Sequence, residues 1–458
     1  MRFISFATAA FVSLTACAVE RTGYDPPRND LYHPTGVAVH PNGGFAYVVN
    51  ANTDLRYNAG TVTPIDLNAI VPEPNRNPND PYNIGAVLAG ETQLIDSHGA
   101  FPILNGDGTR MFVGTREKNV LYAFEVIADG GGVRCGAKGR NRVTTCDDDH
   151  TFALSGKIFS DEGTENDTSQ PFIGVVAKPV LGFPGEYLFL THLNAGAISV
   201  YDITPNALTP NPNGFLGVTL LGQDRLGAIV NGTSAIGVTR GPNRQPMIYA
   251  GSSRVLSVRP PGSSSTLFFF DPQAAVDVSA QAGAIALQRF LGGNSASIDV
   301  KYITSSPNGE RTYFLTREPN ALVSLDTSLD ADGRVKNRFV DVLPLERAPA
   351  TMVYVPGNAV TGARDLLYVS CYGDGSVLIF DAATLTLVGK HRPFERGPYS
   401  LAVSSVLNTA TGAPLRTWVL ATYFNDDALL IFDAADPDPS RHTIYARIGT
   451  PRESKLPK

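Results

Sequence analysis

The chain has 458 residues, 43% of them apolar, and a formal net charge of −6, which suits one large closed fold with an ordinary globular core. Its lysines and arginines form no block or stripe, which argues against a nucleic-acid partner, and no Cys-x-x-Cys-His string is present for covalent haem. Gly (44) and Pro (33) are abundant, as in a fold with many tight turns.

Met1 and Arg2 open a short positive region, followed by the apolar run FISFATAAFVSLTA, too short to span a bilayer. The run ends at Leu14-Thr15-Ala16-Cys17, which resembles a bacterial lipobox. The resemblance implies cleavage before Cys17 and lipid on its sulfur. Ala18, in place of the Asp that retains such proteins at the inner membrane, implies an outer-membrane lipoprotein, periplasmic or surface-exposed. Residues 1–16 are thus expected as a signal peptide and 17–31, with Pro26-Pro27, as a polar tether. A propeller domain is expected over 32–450 and a tail over 451–458.

From His33 onward a motif recurs. A Gly/Pro-rich lead-in meets an apolar strand, a turn, a second strand, a short polar loop and a third strand. Inner strands are predicted at HPTGVAV, SHGAFPI, QPFIGVV, TSAIGVT, SIDVKYI, APATMVY and GPYSLAV. Second strands follow at FAYVVN, RMFVGT, EYLFLT, PMIYAG, RTYFLT, DLLYVS and TWVLAT, all rich in aromatic and β-branched residues. Third strands such as GTVTPIDL, SVLIFDAA and ALLIFDAA complete each unit, and RHTIYARIG supplies a last outer strand. Units that cannot bury their faces alone stack into an array, so the pattern predicts an all-β, seven-bladed β-propeller, with six or eight blades as alternatives. Pro64, inside a third strand, removes a ladder donor and predicts a bulge or early edge.

Pro34, Gly36, Pro41-Asn42-Gly43, Tyr47-Val48-Val49-Asn50 and Ile65-Asp66 together resemble the YVTN family of β-propeller repeats. The turn recurs at Ser306-Pro307-Asn308-Gly309 and, approximately, at Asn105-Gly106-Asp107-Gly108. Elsewhere the pattern is degenerate.

Cys135 and Cys146 flank a polar insertion in the second repeat. A disulfide is the first expectation there; a metal site using Asp147, Asp148, Asp149 and His150 is its rival. Cys371 reads as a buried free thiol. NGDGTR and DADGRV read as turns, since the later Glu of a calcium loop is missing. No cofactor or resident metal is indicated.

The face where propeller ligands usually bind is built by the lead-ins and by the loops joining second to third strands. Mapped to it are His33, His98, Arg116, Glu117, His192, Arg317, Glu318, Arg347, Tyr372, Arg396, Asn425 and Asp426. The matching strings LERAPATM and FERGPYSL place Glu346-Arg347 and Glu395-Arg396 before the inner strands of blades 6 and 7. They read as bracing between blades. Their alternative is catalysis: His98, Glu346, Arg347, Glu395 and Arg396 are the groups that a resemblance to seven-bladed lactonases would use, with Arg gripping a carboxylate and His or Glu moving a proton. No Gly-x-Ser-x-Gly elbow or phosphate-binding loop is present. The favoured expectation is a non-enzymatic lipoprotein whose rigid disc binds a protein or glycan partner, with the lactonase-like enzyme as the alternative.

Overall fold

The computed structural model describes residues 24–71, 80–136, 146–154, 170–193, 195–204, 215–220, 232–241, 244–252, 266–276, 283–291 and 298–450. The lipobox and Cys17 and the 451–458 tail lie outside these residues.

Seven antiparallel sheets follow one another along the chain, giving a seven-bladed β-propeller. The inner strands are Pro34–Val39, Gly99–Leu104, Pro171–Ala177, Thr233–Thr239, Asp299–Ser305, Pro349–Val355 and Pro398–Leu407. Each pairs with a second strand that returns to the face where its own inner strand began, so one face carries the second-to-third-strand loops and the other carries the first hairpins.

A twisted sheet with two apolar faces needs a neighbour on each side. The buried apolar residues accordingly fall into a cluster at each blade junction. Tyr47, Val49, Met111 and Val113 lie between blades 1 and 2. Tyr313, Leu315, Leu367 and Val369 do the same between blades 5 and 6. The ring closes without exchanging a strand. Blade 7 ends on its own outer strand Thr443–Ile448, from the predicted RHTIYARIG segment, and packs face to face on blade 1 through Trp418, Leu420, Val37 and Val48. Ser404 Oγ donates to Gly43 O at 2.7 Å across this seam.

Pro64 has the expected effect. It pairs inward with Tyr47, but the outer ladder stops at Val62, and the chain touches again only at the Ile65–Leu88 bridge. Blade 2 has a split outer edge: Val133–Arg134 pairs one end of the third strand and Thr151–Ala153 the other. The Cys135–Cys146 disulfide joins these two pieces, with Cα atoms 4.8 Å apart. Asp147 is used locally, capping the following turn through His150 N (3.1 Å) and meeting the imidazole Nδ1 at 2.5 Å. Cys371 is free and buried, and burial pushes its thiol up to about 12.

Of the segment read as a tether, residues 24–31 run along blade 1. Tyr24 bridges Tyr57, Arg28 O accepts from Thr92 Oγ1 at 2.7 Å, and Leu31 is fully buried.

Candidate functional site

The start of every blade is built alike. A register shift interrupts the first residues of each inner strand, as between Pro34 and Gly36 or between Gly99 and Pro102. The residue just before the strand is often left-handed: His33 (φ 44°), His98 (φ 59°), Gln170 (φ 52°) and Ala348 (φ 53°). That conformation is uncommon for non-glycine residues and can mark a functional site. Its recurrence from blade to blade assigns it to the architecture instead. The bulge bends the strand and turns its side chains toward the axis.

Aromatic rings meet there. Phe101 of blade 2 touches Phe172 of blade 3 (5.4 Å between centroids), Tyr302 of blade 5 (6.5 Å) and Tyr399 of blade 7 (5.8 Å). Rings from four blades, in edge and offset arrangements that aromatic pairs favour, therefore close the axis at this level. Sequence reasoning missed this plug. Its signal was a bulky aromatic near the start of four inner strands, where strand propensity alone gives the same residues.

Above the plug lies the mouth. Blades 2, 5, 6 and 7 share a four-residue loop between second and third strands, closed by the pairs Thr115–Val120, Thr316–Ala321, Cys371–Ser376 and Tyr423–Ala428. The first loop position holds Arg116, Arg317, Tyr372 and Phe424. Arg116 lies over the Phe172 ring at 5.9 Å, and its Nε points to His98 O at 3.5 Å. Arg317 Nε donates to Pro349 O at 3.0 Å. Neither guanidinium makes an ion pair among the described residues. Both reach Tyr399: burial raises its hydroxyl above the ordinary value, and the two arginines pull it back. Lys301, on the inner strand of blade 5, pairs with Asp299 at 2.5 Å. Burial holds its ammonium below the ordinary value, opposed by Asp299 and reinforced by Arg317. Tyr372 donates to Asn425 Oδ1 at 3.1 Å and meets Tyr399 edge-on at 6.2 Å.

The other arginines of the face are committed. Arg347 N and Nε donate to the Asp374 carboxylate at 2.6 and 2.9 Å, and Arg396 N and Nη2 to Asp426 at 2.5 and 3.0 Å. Glu346 is held by Ser376, Lys390 and Arg392, and Glu395 pairs with Arg447. Glu and Arg of each ER string therefore do not bond to each other. Their ion pairs brace one blade from within, whereas the sequence suggested bracing between blades. The same job recurs in blade 2, where Glu117 Oε2 accepts from Ser97 N at 3.0 Å.

The histidines do not converge. His33 stacks on Phe424 (5.0 Å), takes Thr53 Oγ1 on Nδ1 (2.8 Å), and donates its backbone N–H to Asp427 across the seam (2.7 Å). His192 is fully buried, with Nε2 on Ser199 Oγ at 2.9 Å, and burial pushes its imidazole down to about 3. His98 is held below its ordinary value by burial and then by Arg116, against the pull of Glu117. Glu318 is exposed beside Arg317.

Neither a protein-family model nor a curated protein sequence matches the chain. Solved structures do match, 1061 chains in all, so the likeness is too widespread to single out one activity. Kuenenia stuttgartiensis hydrazine synthase is similar over 89% of this chain and 97% of its own, at 14% identity and a TM-score of 0.51. A Lactobacillus plantarum protein is similar over 78% of this chain and 84% of its own, at 14% identity and a TM-score of 0.50. At that identity the similarity is one of fold, and the fold is the seven-bladed β-propeller.

Proposed function

We propose that the protein is an envelope-anchored binding module. Lipid on Cys17 holds the propeller at the outer membrane, and the axial mouth engages a protein or glycan partner. One observation carries the reading. The axis is closed by aromatic rings just below the mouth, while Arg116 and Arg317 stand at its rim without ion pairs among the described residues. A rigid rim with two open guanidinium groups suits recognition of an anionic group on a partner's surface.

The test is a pull-down from detergent-solubilised envelopes with wild type and the Arg116→Gln/Arg317→Gln double variant. A stoichiometric partner recovered by the first and lost by the second supports the reading; no stoichiometric partner with wild type sinks it. Lipidation is checked separately, by the mass of the Cys17 peptide and by release of Cys17→Ser from the membrane fraction.

The lactonase-like alternative retains one supporting observation: burial, and then Arg116, shift the His98 imidazole toward its neutral, proton-accepting form. Its remaining expected partners, Glu346, Arg347, Glu395 and Arg396, are engaged elsewhere. Hydrolysis of a lactone panel that disappears in His98→Ala would move the assignment to this reading.

A further inference from the structure

On the face opposite the mouth, the first hairpins of blades 2, 3 and 4 enclose a cleft of about 220 Å³. Gln245 ties the walls together, accepting from Leu181 N at 3.1 Å and donating to Pro179 O at 2.8 Å. Three cations line the cleft: Lys178, Arg240 and Arg244. Its carboxylate, Glu186, accepts from Gly106 N at 3.1 Å. None of the three cations makes an ion pair among the described residues.

Arg244 is the unusual one. It is 8% exposed, and Nη1 is used on Gly309 O at 2.5 Å. Nε and Nη2 meet no acceptor among the described residues. These two nitrogens form one edge of the guanidinium, closed to solvent as placed, which can grip a carboxylate or phosphate through two parallel bonds once the side chain turns into the cleft. A buried charge with three of its five N–H donors unmet is costly, and burial holds the group below the usual arginine range. Val180 (37% exposed) and Leu181 (56% exposed) form an apolar side of the same cleft.

We propose that this cleft is an anion site, taking the carboxylate or phosphate group of a small ligand whose apolar body lies against Val180 and Leu181. It is separate from the mouth and does not depend on the partner-binding reading. Acids of differing chain length and inorganic phosphate separate the two sources of negative charge.

Titration calorimetry of the whole protein with inorganic phosphate, acetate, butanoate and hexanoate tests it. Saturable one-site binding is expected. Lys178→Gln/Arg240→Gln weakens it at least about tenfold, the loss of one strong charge-assisted contact. Arg116→Gln/Arg317→Gln leaves it unchanged. Along the acid series, affinity rises by up to about fourfold per buried methylene if the apolar side takes part. Phosphate binding without that rise keeps the anion site and removes the apolar body. Arg244→Gln is read beside its thermal midpoint because it also loses the Gly309 bond; if it fails to fold, the Lys178/Arg240 variant still decides. No saturable binding of any probe, or undiminished binding by that variant, overturns the proposal.

Discussion

Blades 2 and 5 place arginines around the same mouth as blades 6 and 7 and treat them in opposite ways. Arg347 and Arg396 sit before their inner strands, and a loop aspartate grips both backbone and side chain. Arg116 and Arg317 sit at the first loop position, with one nitrogen on a carbonyl and no ion pair to a carboxylate among the described residues. The difference teaches that charge type and placement on the face do not identify a recognition group. What separates the two pairs is whether the blade has already used the charge.

The largest way to break this contrast is to remove what both halves rest on. Phe101 is 8% exposed and joins blades 2, 3, 5 and 7 at the axis. Phe101→Ala is expected to cost about 3–5 kcal/mol in urea unfolding. A loss below about 1 kcal/mol would mean that the plug is not the support of the mouth.

A second test extends the contrast to two imidazoles, one fully buried and one half-buried, which the fold holds toward the uncharged form. His192 and His391 are pushed down to about 3 and about 4, from an ordinary 6.5, mainly by burial. The unfolded chain therefore binds protons that the folded chain refuses between those values. The imidazole contribution is complete above pH 6.5 and falls as the pH drops through the window, by up to about 1.4 kcal/mol per pH unit for His192 and by less for the half-buried, solvent-screened His391. Glu346 and Asp381, held below their ordinary values, add their losses only at lower pH. Unfolding free energies between pH 7 and pH 5 check this; a flat profile refutes it, and His192→Asn should reduce the slope.

The smallest effect bears on the contrast most directly. Asp426→Ala removes the carboxylate that the exposed Arg396 head and a backbone N–H share, and is expected to cost about 1 kcal/mol. Arg116→Gln should stay within about 0.5 kcal/mol, since it breaks no ion pair among the described residues. Equal losses in the two variants, by thermal or urea unfolding, would erase the distinction between gripped and open arginines.

The blades were legible in the sequence because each repeats one hydrophobic rhythm, and the inner strands fall where HPTGVAV, GPYSLAV and their siblings place them. Pro64 was legible for a purely local reason, its missing donor. The site was less so. Arg116 and Arg317 could be mapped to the face, but Arg347 and Arg396 mapped there equally well. Only the positions of Asp374 and Asp426 distinguish them. The Arg240–Arg244 cleft left no sequence signal, because its walls come from hairpins of three different blades.

The seam between blades 7 and 1 has a further consequence for how the chain could be wired. No strand crosses it, and Asp30 Oδ1 lies 3.5 Å from Thr450 N, so the two ends of the ring meet. Tyr82, on the way to the outer strand of blade 1, bridges Ile448 at the same place. Every blade is a contiguous stretch of chain, and no junction is privileged by topology. A circular permutant opened between Pro344 and Pro349 and joined from Thr450 to Asp30 would keep all seven sheets whole. Its far-ultraviolet spectrum and thermal midpoint should stay close to those of the native order. In this ring the beginning and the end are properties of the gene rather than of the fold.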